Sequence, residues 1–107
     1  MKKAEQRAIN RTVEYQLARF NETTEPYELK EIGQLYTCKA TVYQTWTFIV
    51  LRSYNTIVAI IDKKDMTLYD FSRYVYGYTA TTAQHISKFA KFYNIGHENI
   101  YTWKEVK

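Results

Sequence analysis

The sequence predicts an α+β domain: a small antiparallel sheet of three to five strands, with an N-terminal helix and a second helix in the C-terminal half packed on one face. Three observations carry this expectation. Apolar residues recur at helical spacing over residues 3–20, the period changes to two from Leu35 onward, and the helical period returns over residues 80–93. A chain of 107 residues has room for one modest core, so residues 1–107 read as a single domain.

In the first element, Ile9, Val13, Leu17 and Phe20 fall at i, i+4, i+8 and i+11, with no proline or glycine between them. Lys3, Arg7, Arg11, Tyr15 and Arg19 form a second stripe that winds around the other side. That stripe is either a solvated face or a basic strip for phosphate or an acidic protein. Asn21 and Pro26 end the helix. The segment 22–31, with Glu22, Glu25, Glu28 and Glu31, reads as an acidic loop, and Gly33 marks a turn or bulge before the sheet.

The runs "LYTCKATVYQTW", "TFIVLRSY" and "TIVAIID" are rich in the β-branched and aromatic residues of strands. The last two are joined by a hairpin at Tyr54-Asn55-Thr56, or they form one long bent strand. "DKKDM", residues 62–66, is a charged turn. "TLYDFSRYVYGY" is then a further strand or a pair of short ones. A regular strand would put Tyr69, Phe71, Arg73 and Val75 on one face and Asp70, Ser72, Tyr74 and Tyr76 on the other. Neither face is purely apolar, and a bulge near Gly77 is one way to change face.

Thr79-Ala80-Thr81-Thr82 opens the last helix, because a threonine hydroxyl accepts from an orphan backbone N–H. Ile86, Phe89, Ala90 and Tyr93 form its apolar stripe, and Gln84, Lys88 and Lys91 share the opposite side. Asn94-Ile95-Gly96 ends it, and "NIYTWKEV", residues 99–106, alternates as a closing edge strand.

Charge and composition exclude several classes. The net charge is +4, distributed as +3 over residues 1–20, −3 over 21–35 and +4 over the rest. This excludes a mimic of DNA and permits contact with polyanions. Tyrosine accounts for 11 residues, a composition that suits a half-covered sheet or an interface. The lone Cys38 forms no intramolecular disulfide, and His85 and His97 have no zinc-ligand spacing. No apolar run is long enough for a membrane span, and the first residues lack a secretory apolar segment. The expectation is a cytoplasmic protein with no membrane contact and no cofactor.

Catalytic motifs are absent: there is no glycine-rich phosphate loop, no H-E-x-x-H and no G-x-S-x-G. Near the start of a helix, His85 is disfavoured as an imidazolium. It reads as a hydrogen-bonded structural residue rather than a base, and Cys38 reads as a small hydrophobe within a strand. No catalytic residue is expected. Arg73 lies among Tyr69, Phe71, Tyr74, Tyr76 and Tyr78, a mixture that either packs a sheet edge or stacks on bases. Thr81 and Thr82 could offer free N–H groups to a phosphate, with Lys88 and Lys91 further along. The residues expected to touch a partner are Arg73, Tyr74, Tyr76, Lys88 and Lys91, with Arg7 and Arg11 as a second patch.

"SYNTIVAIID" followed by "YGYTATTAQHISKF" resembles a family of small proteins carried by phages and plasmids of Gram-positive bacteria. Ser53, Tyr54, Thr56, Val58 and Ala59 match the first part of its pattern. Tyr78, Thr81, Thr82, His85, Ile86 and Phe89 match the second. The resemblance covers roughly residues 50–90. It implies a mobile-element protein that acts by binding, to host defence machinery as anti-CRISPR proteins do, or to a host nucleoprotein. Direct binding of nucleic acid is the alternative.

Overall fold

The computed structural model describes residues 12–36 and 39–102. Six strands form one mixed sheet in sequence order: β1 (Lys30–Gln34), β2 (Ala40–Gln44), β3 (Phe48–Ser53), β4 (Thr56–Asp62), β5 (Thr67–Asp70) and β6 (Ile100–Tyr101). Helix α1 (Val13–Thr23) precedes the sheet, and α2 (Ala80–Phe92) connects β5 to β6. The first five strands are an antiparallel meander, and β6 is parallel to β5. A parallel pair needs a crossover, and α2 supplies it. The sheet therefore has one strand more than the upper expectation and is not wholly antiparallel.

The expectation that both helices share one face is overturned. Val13 and Phe20 of α1 pack with Phe48, Val50, Ile60 and Tyr69. Ile86, Phe89 and Ala90 of α2 pack with Ile49, Leu51, Ile61 and Leu68. Side chains alternate along a strand, so these two sets lie on opposite faces. The reason is visible in β3 and β4, which are buried almost throughout. Strands buried on both faces need a layer on each side.

Local differences follow from capping and edge geometry. Thr12 is extended, and its hydroxyl accepts from the backbone N–H of Tyr15 at 3.1 Å, so α1 begins at Val13 rather than running unbroken over 3–20. It continues through Asn21 to Thr23. Arg19 does not face solvent with the basic stripe. Its guanidinium reaches Asp62 at 2.9 Å and lies over the Phe48 ring at 5.0 Å. Lys3, Arg7, Ile9 and Arg11 lie outside the described residues, as does Cys38.

The end of the acidic segment is strand β1, an exposed edge. Its register with β2 shifts between Glu31 and Gly33, and Gly33 has φ +153°, so the bulge lies within the first strand and not before the sheet. The run at 67–78 keeps only four residues of strand. Beyond Asp70 the chain makes a 3-10 turn at Ser72–Tyr74, so Arg73, Tyr74 and Tyr76 sit in a connection and not in the sheet. Asp70 drives this, because its carboxylate accepts from the backbone N–H of Ser72 at 2.8 Å.

Helix α2 matches the expected stripe. Thr79 caps it, with Oγ accepting from the backbone N–H of Thr82 at 3.3 Å. Its end is set by Asn94 rather than Gly96. Asn94 has φ +55°, and the N–H of Ile95 returns to the carbonyl of Ala90 at 2.8 Å, closing a Schellman-type cap.

Candidate functional site

One end of the sheet gathers most of the chemistry. The β1–β2 connection, the β3–β4 hairpin and the β5–α2 connection all emerge there, since β1, β3 and β5 run the same way. Helix α2 passes across this end. It starts beside Asp70, whose charge acts on Tyr78, passes His85 over Ser53, and brings Phe92 to Tyr36 with ring centroids 5.9 Å apart.

Two tyrosines are held in unusual backbone. Tyr36 and Tyr54 both have φ +54°, in turns where glycine or asparagine would sit at lower cost. The two residues are nonetheless 54% and 56% exposed, so burial does little to offset that cost. Tyr74, Tyr76, Tyr78 and Phe92 add further exposed rings at this end and along α2. Lys39, Arg73, Lys88 and Lys91 are exposed cations on the same elements, and α2 contains no acidic residue. Asp70 is buried and bonded to its own turn; burial raises its pKa, while the bonds from Ser72 work against that rise. Burial and the charge of Asp70 also raise the pKa of the Tyr78 phenol, so it stays protonated.

Beneath these rings, Ser53 Oγ and His85 Nδ1 share a hydrogen bond of 2.7 Å, and the Tyr54 ring tilts against the imidazole at 5.8 Å. Ser53 and His85 are each only 3% exposed. Burial, and then the charge of Lys88, lower the imidazole pKa, so His85 is held neutral. A hydroxyl beside a neutral imidazole is the start of a nucleophile pair. Here the two groups are sealed between α2 and β3, so the pair fastens the helix to the sheet.

A cleft of about 370 Å³ lies beside the Tyr54 hairpin, lined by Glu31, Gln34, Lys39, Ala40, Thr41, Tyr54 and Asn55. Its walls are mainly polar side chains from the bulged edge and the two turns. No group of three or more His, Cys, Asp or Glu among the described residues is placed to hold a metal ion. No helix among them is long and apolar enough to cross a membrane.

Residues 8–104 match a family described as a family of unknown function, DUF8033. The chain belongs to the DUF8033 family. No curated protein and no solved structure matches it.

In this DUF8033 chain, the residues singled out from sequence separate into groups. Arg73, Tyr74 and Tyr76 share the β5–α2 connection, while Lys88 and Lys91 lie on the outer side of α2. Arg7 and Arg11 lie outside the described residues. The tyrosines divide between core and surface: Tyr69 is buried under α1 and Tyr76 is fully exposed. His85 is buried and hydrogen-bonded, as its structural reading expected.

Sequence reasoning missed Ser53 as its partner, although the two residues stand in the first and second parts of the pattern that carried the resemblance. It also missed Tyr36, Phe92 and Lys39, whose proximity to this end depends on the path of α2 and on the β1–β2 pairing. Trp46, 96% exposed at the β2–β3 turn, lies at the opposite end of the sheet.

Proposed function

We propose that this DUF8033 protein is a non-enzymatic binding protein of a phage or plasmid, acting on a host defence or other nucleoprotein complex. Its contact surface is the turn-rich end of the sheet together with the outer side of α2. The observation that carries this reading is the pairing of exposed rings with exposed cations on elements that fix both. Tyrosine and arginine dominate contact energies at interfaces, and a positive field steers encounter with a negatively charged partner. The left-handed Tyr36 and Tyr54 add support, since backbone strain gathers where the presented side chain has work to do. Origin in a mobile element rests on the pattern from Ser53 to Phe89 described above.

Of the acidic residues named above, Glu31 lines the cleft beside Lys39 and Tyr54 at this end, and the others belong to other elements. Glu14 and Glu22 belong to α1, on the far face of the sheet. Glu25 and Glu28 are tied to the short turn at Pro26–Glu28, where the Glu25 backbone N–H donates to Glu28 Oε1 at 3.2 Å.

The test is affinity capture from a Gram-positive host lysate, followed by sizing of the complex. The parent chain forms a stoichiometric complex, and Arg73→Glu with Lys88→Glu abolishes it in a variant that still unfolds cooperatively. Retention of the complex by that variant would reject the surface.

A further inference from the structure

We infer that the component of the partner engaged by this surface is a single-stranded nucleic acid, laid across the outer side of α2 from Tyr76 to Tyr36. The inference rests on the binding reading above and names what occupies the surface. Single strands are held by a positive track for the backbone and aromatic faces for the bases, which need no matching hydrogen-bond pattern because every base has a π-face. Both components are present and separately placed. Lys88 and Lys91 stand on a helix without acidic residues, and Arg73 lies at its entry. Tyr76, Tyr54 and Tyr36 project from three different connections around that helix.

The spacing suits a strand and not a point contact. Helix α2 has 13 residues and spans about 20 Å at its usual rise. That length accommodates on the order of four nucleotides, the lower end of known single-strand sites. Tyr54 is anchored on its inner side by His85, at 5.8 Å, while more than half of it remains exposed. A ring braced in this way loses little freedom when a base stacks on it, which lowers the entropic cost of binding. A duplex keeps its bases stacked on one another, so these rings would have little to grip.

The test is fluorescence anisotropy of the full chain with a labelled unpaired oligonucleotide of about twelve nucleotides, beside the duplex of the same sequence. The expected result is single-strand binding at least about tenfold tighter than duplex binding. The logarithm of affinity should fall with that of salt at a slope near −2 to −3, from three to four phosphates at about 0.7 each. Tyr54→Ala and Tyr76→Ala each weaken binding about tenfold and leave the slope unchanged. Lys88→Glu with Lys91→Glu abolishes it. Tyr76 is fully exposed, so its replacement leaves the fold intact and keeps the stacking claim open to refutation.

Absence of single-strand binding at low salt, equal binding of duplex, or indifference to both tyrosine changes would overturn the inference. A partner complex that forms in nuclease-treated lysate without any oligonucleotide binding would overturn it while leaving the binding reading intact. Failure of both capture and oligonucleotide binding would overturn both.

Discussion

Ser53 and His85 are 32 residues apart in sequence and 2.7 Å apart in space, and their bond fastens α2 to the end of β3. Removing one partner leaves a buried polar group unsatisfied. His85→Ala and Ser53→Ala are each expected to cost about 1–3 kcal/mol of stability. The double variant should cost less than the sum of the two. Urea unfolding of the three variants checks this, and full additivity would mean that the bond contributes nothing of its own.

The same imidazole makes stability depend on pH. Its pKa in the folded protein lies below the ordinary 6.5, because burial and then Lys88 disfavour the charged form. Below 6.5 the unfolded chain therefore takes up a proton that the folded chain resists, and stability falls as pH falls through that window. Melting curves taken from about pH 8 down to about pH 5.5 should show this loss. His85→Gln should remove much of it; an unchanged pH dependence would assign the loss to another group.

Arg19 and Asp62 tie α1 to the far end of β4, with their side chains partly buried. Arg19→Ala also removes the cation over Phe48 and is expected to cost about 1–2 kcal/mol. Asp62→Asn should cost less than Asp62→Ala, because Asp62 Oδ1 also accepts from the Lys64 backbone N–H at 3.0 Å and an amide oxygen can do the same. Chemical unfolding of the three variants gives the order. Equal losses from the two Asp62 changes would contradict it.

Tyr54 separates stability from function. Tyr54→Asn relieves an aromatic residue of left-handed backbone but removes the ring that leans on His85. These effects oppose each other, so stability should stay within about 1 kcal/mol of the parent. Partner binding should fall about tenfold. Calorimetry beside a binding titration decides: binding that persists would leave the strained turn without the role assigned to it.

Much of this architecture was legible in the sequence. The stripe of Ile86, Phe89, Ala90 and Tyr93, with Thr79 before it, defined α2 because nothing interrupts its period. The runs around Val50 and Ile60 identified the central strands from β-branched content. The same runs concealed the second layer: a strand buried on both faces shows no alternation, so it does not reveal how many helices it can cover. Strand β1 was illegible because an exposed edge rich in glutamate and lysine has no apolar pattern. The contacts of the site were hidden for another reason. Tyr36 and Phe92, and Ser53 and His85, meet only through the path of α2 across the sheet, which no local spacing encodes.

The central claim is that binding resides at the sheet end and on α2, and not on the α1 face. The most direct measurement is a side-by-side titration of the captured partner with two charge-reversal pairs. Arg73→Glu with Lys88→Glu alters the proposed surface, and Glu14→Lys with Glu22→Lys alters exposed positions on α1. The account expects the first pair to lower affinity at least about a hundredfold, from two lost favourable contacts and two added repulsions, and the second to leave it within about threefold. The reverse order, or two variants that both bind like the parent, would contradict it.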